Sequence, residues 1–181
     1  WFRPCAARIR RADKGAASCI TKRHLVVGMK LVCLGGTFDI LHAGHTRLLE
    51  AALEVGESLI IGLTSDEFAA SRRPTERELA SYEDREAGLR SWFSARDALK
   101  RIEIVPLVEE WGPPAENADI DGIVVTSETR ETAERLNAHR AGKGLEQLEI
   151  IEVEHLLAED GLPVSSSHIR AGEVDAEGRR K

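Results

Sequence analysis

Five short apolar runs alternate with longer stretches of helical spacing, and this alternation restricts the chain to a small set of folds. Residues 30–34 (KLVCL), 58–64 (SLIIGLT), 102–107 (IEIVPL), 122–126 (GIVVT) and 148–153 (LEIIEV) are apolar enough for strands buried on both faces. Between them, residues 46–55 place Leu48, Leu49, Ala52 and Leu53 along one face. Residues 83–99 do the same with Ala87, Leu89, Trp92 and Phe93, and 130–140 is amphipathic. Strands and helices in this order, joined by right-handed crossovers, predict an α/β fold: a parallel sheet flanked by helices, with ligands bound beyond the carboxyl ends of the strands. Residues 72–78 and 109–118, with Pro74, Pro113 and Pro114, read as long loops of the kind that border sites.

At 181 residues, 42% hydrophobic and 31% charged, the chain suits one core that stands without a disulfide or metal staple. Cys5, Cys19 and Cys33 form no C-x-x-C pair and no Cys/His cluster of metal-ligand spacing, so structural zinc is not expected. With no apolar run approaching a membrane span and no secretory apolar segment at its start, the chain is expected in the cytoplasm, away from membranes. Charge is uneven. Residues 1–28 hold seven Lys/Arg against one acid, whereas residues 29–181 hold 18 bases against 30 acids. So acidic a body argues against a nucleic-acid partner. Residues 1–28 read as a dispensable basic extension, either upstream of a natural start at Met29, the sole methionine, or a flexible tail whose composition is compatible with a transit peptide. Residues 29–181 form the expected domain, of an oligomeric state that the sequence leaves open.

The first strand runs into Gly35-Gly36-Thr37-Phe38-Asp39-Ile40-Leu41-His42-Ala43-Gly44-His45, with a helix beginning near Gly44. The glycines permit a tight turn and close backbone approach, and a helix start pointing out of the sheet offers N–H groups and a positive dipole end to a phosphate. His42 and His45, three apart, share one face of that turn and reach the same anion. A glycine turn or a histidine pair alone would be unremarkable surface; together they mark an anion site. Near the other end, Val164-Ser165-Ser166-Ser167-His168-Ile169-Arg170 precedes a short helix. Its hydroxyls would cap that helix, or, with the helix N–H groups and an arginine one turn on, cradle a phosphate. Two phosphate-type loops in one small domain point to a nucleoside triphosphate.

These two motifs carry a resemblance. G-G-T-F-D-x-x-H-x-G-H with V-S-S-S-H-I-R resembles the nucleotidylyltransferase superfamily and, within it, the archaeal and eukaryotic-like branch of phosphopantetheine adenylyltransferase. The IGLTSD run at 61–66, Tyr82-Glu83-Asp84-Arg85 and the stretch 149–178 echo the same branch, so the likeness extends over residues 30–178. It implies a Rossmann-like sheet and a reaction that joins ATP to 4′-phosphopantetheine, giving dephospho-coenzyme A and pyrophosphate with Mg²⁺. Carried over by position, His42 and His45 match the catalytic pair at the phosphates. Thr37 and Phe38 match contacts to acceptor and nucleotide, Ser165, Ser166 and Ser167 the second triphosphate loop, and Arg170 its charge partner. Thr126, Ser127 and Glu128 match a stretch near the base. Where the family usually has a basic residue, often lysine, after the second strand, this chain offers Arg72 and Arg73 for the acceptor phosphate.

A substrate phosphomonoester is largely dianionic at neutral pH and attacks without a general base, so such a site needs positioning and positive charge, not a catalytic carboxylate. Magnesium would be held mainly by substrate and water, with no protein ligand named. Asp39 either orients the loop or a substrate group, or hydrogen-bonds a nearby N–H. Cys33 reads as a small buried hydrophobe, Trp92 and Phe93 as core, and His139, His155 and His168 as surface or packing residues. Two other functions fit parts of the pattern: a cytidylyltransferase acting with CTP on a phosphorylated alcohol, whose branch usually closes on a different Arg-Thr-containing sequence, and a non-catalytic nucleotide-binding regulator. No Walker-type G-x-x-x-x-G-K-[ST] is present to add a kinase.

Overall fold

The computed structural model describes residues 28–72 and 79–181, so residues 1–27 of the basic extension lie outside the described residues. Its five strands are β1 (Met29–Gly36), β2 (Gly56–Thr64), β3 (Ile102–Leu107), β4 (Gly122–Thr126) and β5 (Glu149–Val153). They form one sheet in the order β3-β2-β1-β4-β5, every pair parallel. The expected fold class holds. After β1 the chain winds outward through β2 to β3, then returns past β1 to lay down β4 and β5 on its other side. This reversal places the ligand crevice at the carboxyl ends of β1 and β4.

Alternation along β1 sends Val32 and Leu34 to one face of the sheet and Leu31 and Cys33 to the other. The first face is covered by α1 (Ala43–Val55) and α3 (Tyr82–Ser94), where Leu48, Leu49, Ala52, Leu89 and Phe93 pack on Val32, Leu34, Leu59 and Ile61. The second face packs Cys33, Ile60 and Ile123 against Leu136 of α4 (Arg130–Gly142) and against Ala115 and Trp111 of the β3–β4 connection. Asn137 adds a polar anchor there. Its amide donates to the Leu148 carbonyl at 2.9 Å and accepts the Leu148 N–H at 2.7 Å, satisfying both main-chain groups of a buried residue.

Several expectations are corrected. Burial on both faces holds for β1, β2 and β4, but β3 and β5 are edge strands and only partly covered. Pro106 sits on the open side of β3, where a missing N–H breaks no ladder. Helix α1 begins at Ala43, next to the expected start near Gly44, and α3 stops at Ser94 instead of reaching 99, because the chain turns through Asp97 at φ 54. A further short helix, α2 (Asp66–Arg72), occupies a stretch for which the sequence reading gave no element. Met29 is the first residue of β1 and is buried, not a residue preceding the strand.

Candidate active site

The loop leaving β1 is shaped by a ring laid back on its own glycine. Phe38 adopts φ 50 and is buried, and a Cβ on Gly36 would stand 3.0 Å from the Phe38 ring, so any larger residue there would press on the ring. From there the chain enters α1 through His42, the N-cap. Its Nδ1 accepts the His45 N–H at 3.4 Å, and the His45 Nδ1 lies 3.1 Å from the Ile40 carbonyl. The two rings stack with centroids 3.8 Å apart, and a Cβ on Gly44 would press on the His42 ring at 3.1 Å. The expected shared face is therefore present, and Gly44 is what leaves room for it. Of the first-turn amides, that of Ala43 bonds the Ala176 carbonyl at 2.8 Å and that of His45 bonds the His42 ring, so the helix start is less open than the sequence alone implies.

These hydrogen bonds fix the tautomers. A carbonyl only accepts, so His45 carries its hydrogen on Nδ1; a main-chain N–H only donates, so the neutral His42 ring carries its hydrogen on Nε2. Burial, with the neighbouring ring as a second cause, pushes His42 down to about 3. Burial pushes His45 down to about 4 against the opposing pull of the Ile40 carbonyl and the Asp39 charge. Both rings are neutral at pH 7.

The serine loop meets the histidine turn directly. Ser165 caps α5 (Ser166–Arg170) by accepting the His168 N–H at 3.2 Å. Ser166 Oγ stands 3.3 Å from both the N–H and the carbonyl of Ile40, accepting from one and donating to the other. Arg170 reaches across to Asp39 and donates from Nε at 2.9 Å and Nη2 at 2.8 Å. Asp39 also accepts the Ala80 N–H at 3.0 Å. Burial would raise the Asp39 carboxyl, but the hydrogen bonds from Arg170 and Ala80, with the charges of Arg170 and Arg85, outweigh it and hold the carboxyl below the usual range. Asp39 thus accepts a nearby N–H, as one of its readings had it, and also ties its loop to Arg170, so its carboxylate is engaged by protein.

Both loops open on a cavity of about 590 Å³ at the carboxyl ends of the strands, lined by Thr37, Phe38, Asp39, His42, His45 and the three serines. Thr126 and Glu128 line it as well, whereas Ser127 and Arg170 are not among the lining residues. In that β4–α4 turn the Thr129 hydroxyl accepts the Thr126 N–H at 3.1 Å, which shapes the loop. Arg72 lines the cavity from the end of α2, its guanidinium 5.4 Å from the centre of the Phe68 ring; Arg73 lies outside the described residues.

Sequence reasoning missed three groups. The side chain of Arg85 is fully buried and donates to the carbonyls of Thr37 (2.8 Å) and Ala80 (2.9 Å), and to Asp66 Oδ1 (2.6 Å), so it fixes the loop from beneath. Its spacing with Leu89 and Phe93, four residues each, was the available signal: a cation on the apolar face of a helix. Trp111 and His155 line the cavity, and the Nε1 of the one and Nε2 of the other are buried without a protein partner among the described residues. His168, read as surface or packing, is held between two carboxylates.

The cytidylyltransferase-like family matches residues 33–172, a span that takes in both the histidine turn and the serine loop, and the chain belongs to that family of nucleotidyltransferases. The phosphopantetheine adenylyltransferase of Methanopyrus kandleri is 40% identical over 144 residues, covering 80% of this chain and 90% of the relative. That of Methanosarcina mazei is 40% identical over 156 residues, covering 84% and 98%. A crystal structure of a protein of unknown function from Archaeoglobus fulgidus superposes with a TM-score of 0.61 at 32% identity, over 69% of this chain and 89% of that one. Within the family, the chain is an archaeal-type member of the phosphopantetheine adenylyltransferases. Among the described residues no helix is long and apolar enough to cross a membrane.

Proposed function

We propose that this chain transfers the adenylyl group of ATP to 4′-phosphopantetheine in coenzyme A biosynthesis, releasing pyrophosphate and dephospho-coenzyme A, and that it does so in the cytoplasm. The observation that carries the assignment of roles is the Ser166–Ile40 contact, which brings the histidine turn and the serine loop to one cavity. A triphosphate laid across the junction meets both at once. Its base would face Thr126 and Glu128 at the end of β4, and the acceptor phosphate would enter past Thr37 toward Arg72.

The tautomers divide the work. Neutral His42 has its Nε2–H free to donate to a phosphoryl oxygen. His45, with Nδ1–H committed to Ile40, donates from Nε2 only as an imidazolium, a form that an adjacent polyanion favours. The acceptor's dianionic phosphate attacks the α-phosphorus in line. Charge moves to the leaving pyrophosphate, where the two histidines and the serine loop supply donors aimed at it. Arg170 acts at one remove, by holding Asp39 and the loop. Among the described residues no group of three or more His, Cys, Asp or Glu is placed to hold a metal, and Asp39 is engaged by Arg170, so this donor set suits Mg²⁺ carried on phosphate oxygens and water. When bound, the ion supplies neutralisation of phosphate charge.

The test is pyrophosphate release with ATP or CTP, each paired with 4′-phosphopantetheine and with glycerol phosphate. Release confined to ATP with 4′-phosphopantetheine is expected. Turnover with CTP and glycerol phosphate would make the chain a cytidylyltransferase, and binding without release in any pairing would leave a nucleotide-binding regulator.

A further inference from the structure

Helix α5 is a single turn of five residues, too short to hold by helix propensity, and its one apolar contact is Ile169, partly buried against Ala158, Val164 and Val174. Its side toward the cavity is held by Ser166 and Arg170. On its other side the His168 side chain, 9% exposed, places Nε2 2.7 Å from Glu173 Oε2 and 3.1 Å from Asp160 Oδ2. Carboxylates only accept, so Nε2 carries a hydrogen and both acids compete for it. The two acids come from different segments. Asp160 sits in the turn closed by the Leu157–Pro163 bridge, and its other oxygen accepts the Leu162 N–H at 2.9 Å. Glu173 follows α5, next to the Val174–Arg180 bridge. The His168 ring thus stands in ion-pair contact with one acid from the turn before α5 and one from the strap after it.

We infer that His168 is a positioning residue of the transferase, a brace that sets Ser165, Ser166 and Ser167 at the triphosphate without touching it. This rests on the reading that the serine loop holds the triphosphate. His168 does not line the cavity, so its effect passes through α5 alone and falls on the nucleotide, not on the acceptor. The demand it meets is specific: two acceptors at one point, served by a donor at the reach of Nε2. A glutamine amide reaches to about the same place and carries two hydrogens, one for each acid, without titrating.

Steady-state kinetics of His168→Ala, His168→Gln and Ser166→Ala, with thermal melting of each, test the inference. His168→Ala is expected to raise KM for ATP five- to tenfold, leave KM for 4′-phosphopantetheine within twofold, and change kcat by less than threefold. His168→Gln is expected to restore KM for ATP to within twofold of the parent. A lowered melting temperature with unchanged KM for ATP, equal rises in both KM values, or failure of glutamine to rescue would each overturn the brace. If His168→Ala does not fold, Glu173→Gln and Asp160→Asn each remove one acid from the junction and must raise KM for ATP in the same selective way. Ser166→Ala separates the two claims. If it raises KM for ATP while the His168 variants do not, the brace alone falls; if it leaves KM for ATP unchanged, the loop reading falls and the brace with it.

Discussion

Arg170 grips Asp39 at two points, Nε to Oδ2 at 2.9 Å and Nη2 to Oδ1 at 2.8 Å, and so fastens the end of the chain's last helix to the turn that follows its first strand. The residues are 131 apart in sequence, and each was a candidate substrate contact when the sequence was read by itself. Arg170→Lys keeps the charge but loses the planar fork, and Asp39→Asn keeps the shape but loses the charge. Each is expected to lower kcat/KM about tenfold, a change of about 1.4 kcal/mol. The double variant should be little worse than either single one, because one clasp can be opened only once. Melting should move little, since the arginine is 37% exposed and solvent screens the pair. Additive kinetic losses would show that the two residues act separately.

Arg85 makes the opposite case, a buried cation whose value lies in stability. Replacing it with Met strips donors from the Thr37 and Ala80 carbonyls, at about 1–3 kcal/mol for each buried acceptor left without a partner. Denaturant midpoints should fall accordingly. Arg85→Lys should recover only part of the loss, because one ammonium does not reproduce a fork whose nitrogens face Thr37, Ala80 and Asp66. A midpoint equal to the parent in either variant would remove Arg85 from the loop's support.

The histidine pair makes the protein's stability sensitive to acid. Folded pKa values of about 3 for His42 and about 4 for His45 lie below the ordinary 6.5, so the unfolded chain binds protons that the folded chain refuses. Their stabilising contribution is complete above about pH 6.5 and declines as pH falls from there toward the folded values, by up to about 1.4 kcal/mol per pH unit for each ring. Denaturation midpoints between pH 4.5 and 7.5 should show this slope, and His45→Asn should make it shallower. A slope unchanged by that substitution would count against the assigned burial.

His42→Asn isolates the catalytic role from the structural one. Asparagine is a good N-cap and its oxygen still accepts the His45 N–H, while the Nε2–H is lost. Stability should hold within about 1 kcal/mol, and kcat should drop by about 2.7–4 kcal/mol in barrier terms, the loss typical of one transition-state donor. Near-parental kcat would remove His42 from the phosphate contacts.

Of the three serines, Ser165 makes the cap and Ser166 makes the contact with Ile40, so their variants are expected to differ. Ser165 is the cap, so Ser165→Ala should cost roughly 1 kcal/mol of stability. Ser166→Ala should act on KM for ATP through the Ile40 junction, with a smaller shift in melting. Reversal of the two effects would exchange the assignments.

The sequence by itself determined the strands, the parallel sheet and the two motifs, because those depend on local pattern: short continuous apolar runs between helical stretches, a glycine turn, histidines three apart, and hydroxyls before a helix. It also placed Phe93 in the core and Cys33 on a buried strand, since burial follows hydrophobicity. What only the tertiary structure decided is which polar group meets which. Arg85 under Thr37, Arg170 on Asp39 and His168 between Asp160 and Glu173 look in sequence like surface charge or substrate contacts, because a long polar side chain has no fixed reach until neighbours distant in the chain surround it. Edge strands were misjudged for a related reason: IEIVPL reads the same in the middle of a sheet or at its rim, and only the strand order puts β3 on the outside. Periodicity records which face of an element turns inward, and the pairing of charges waits for the faces to meet.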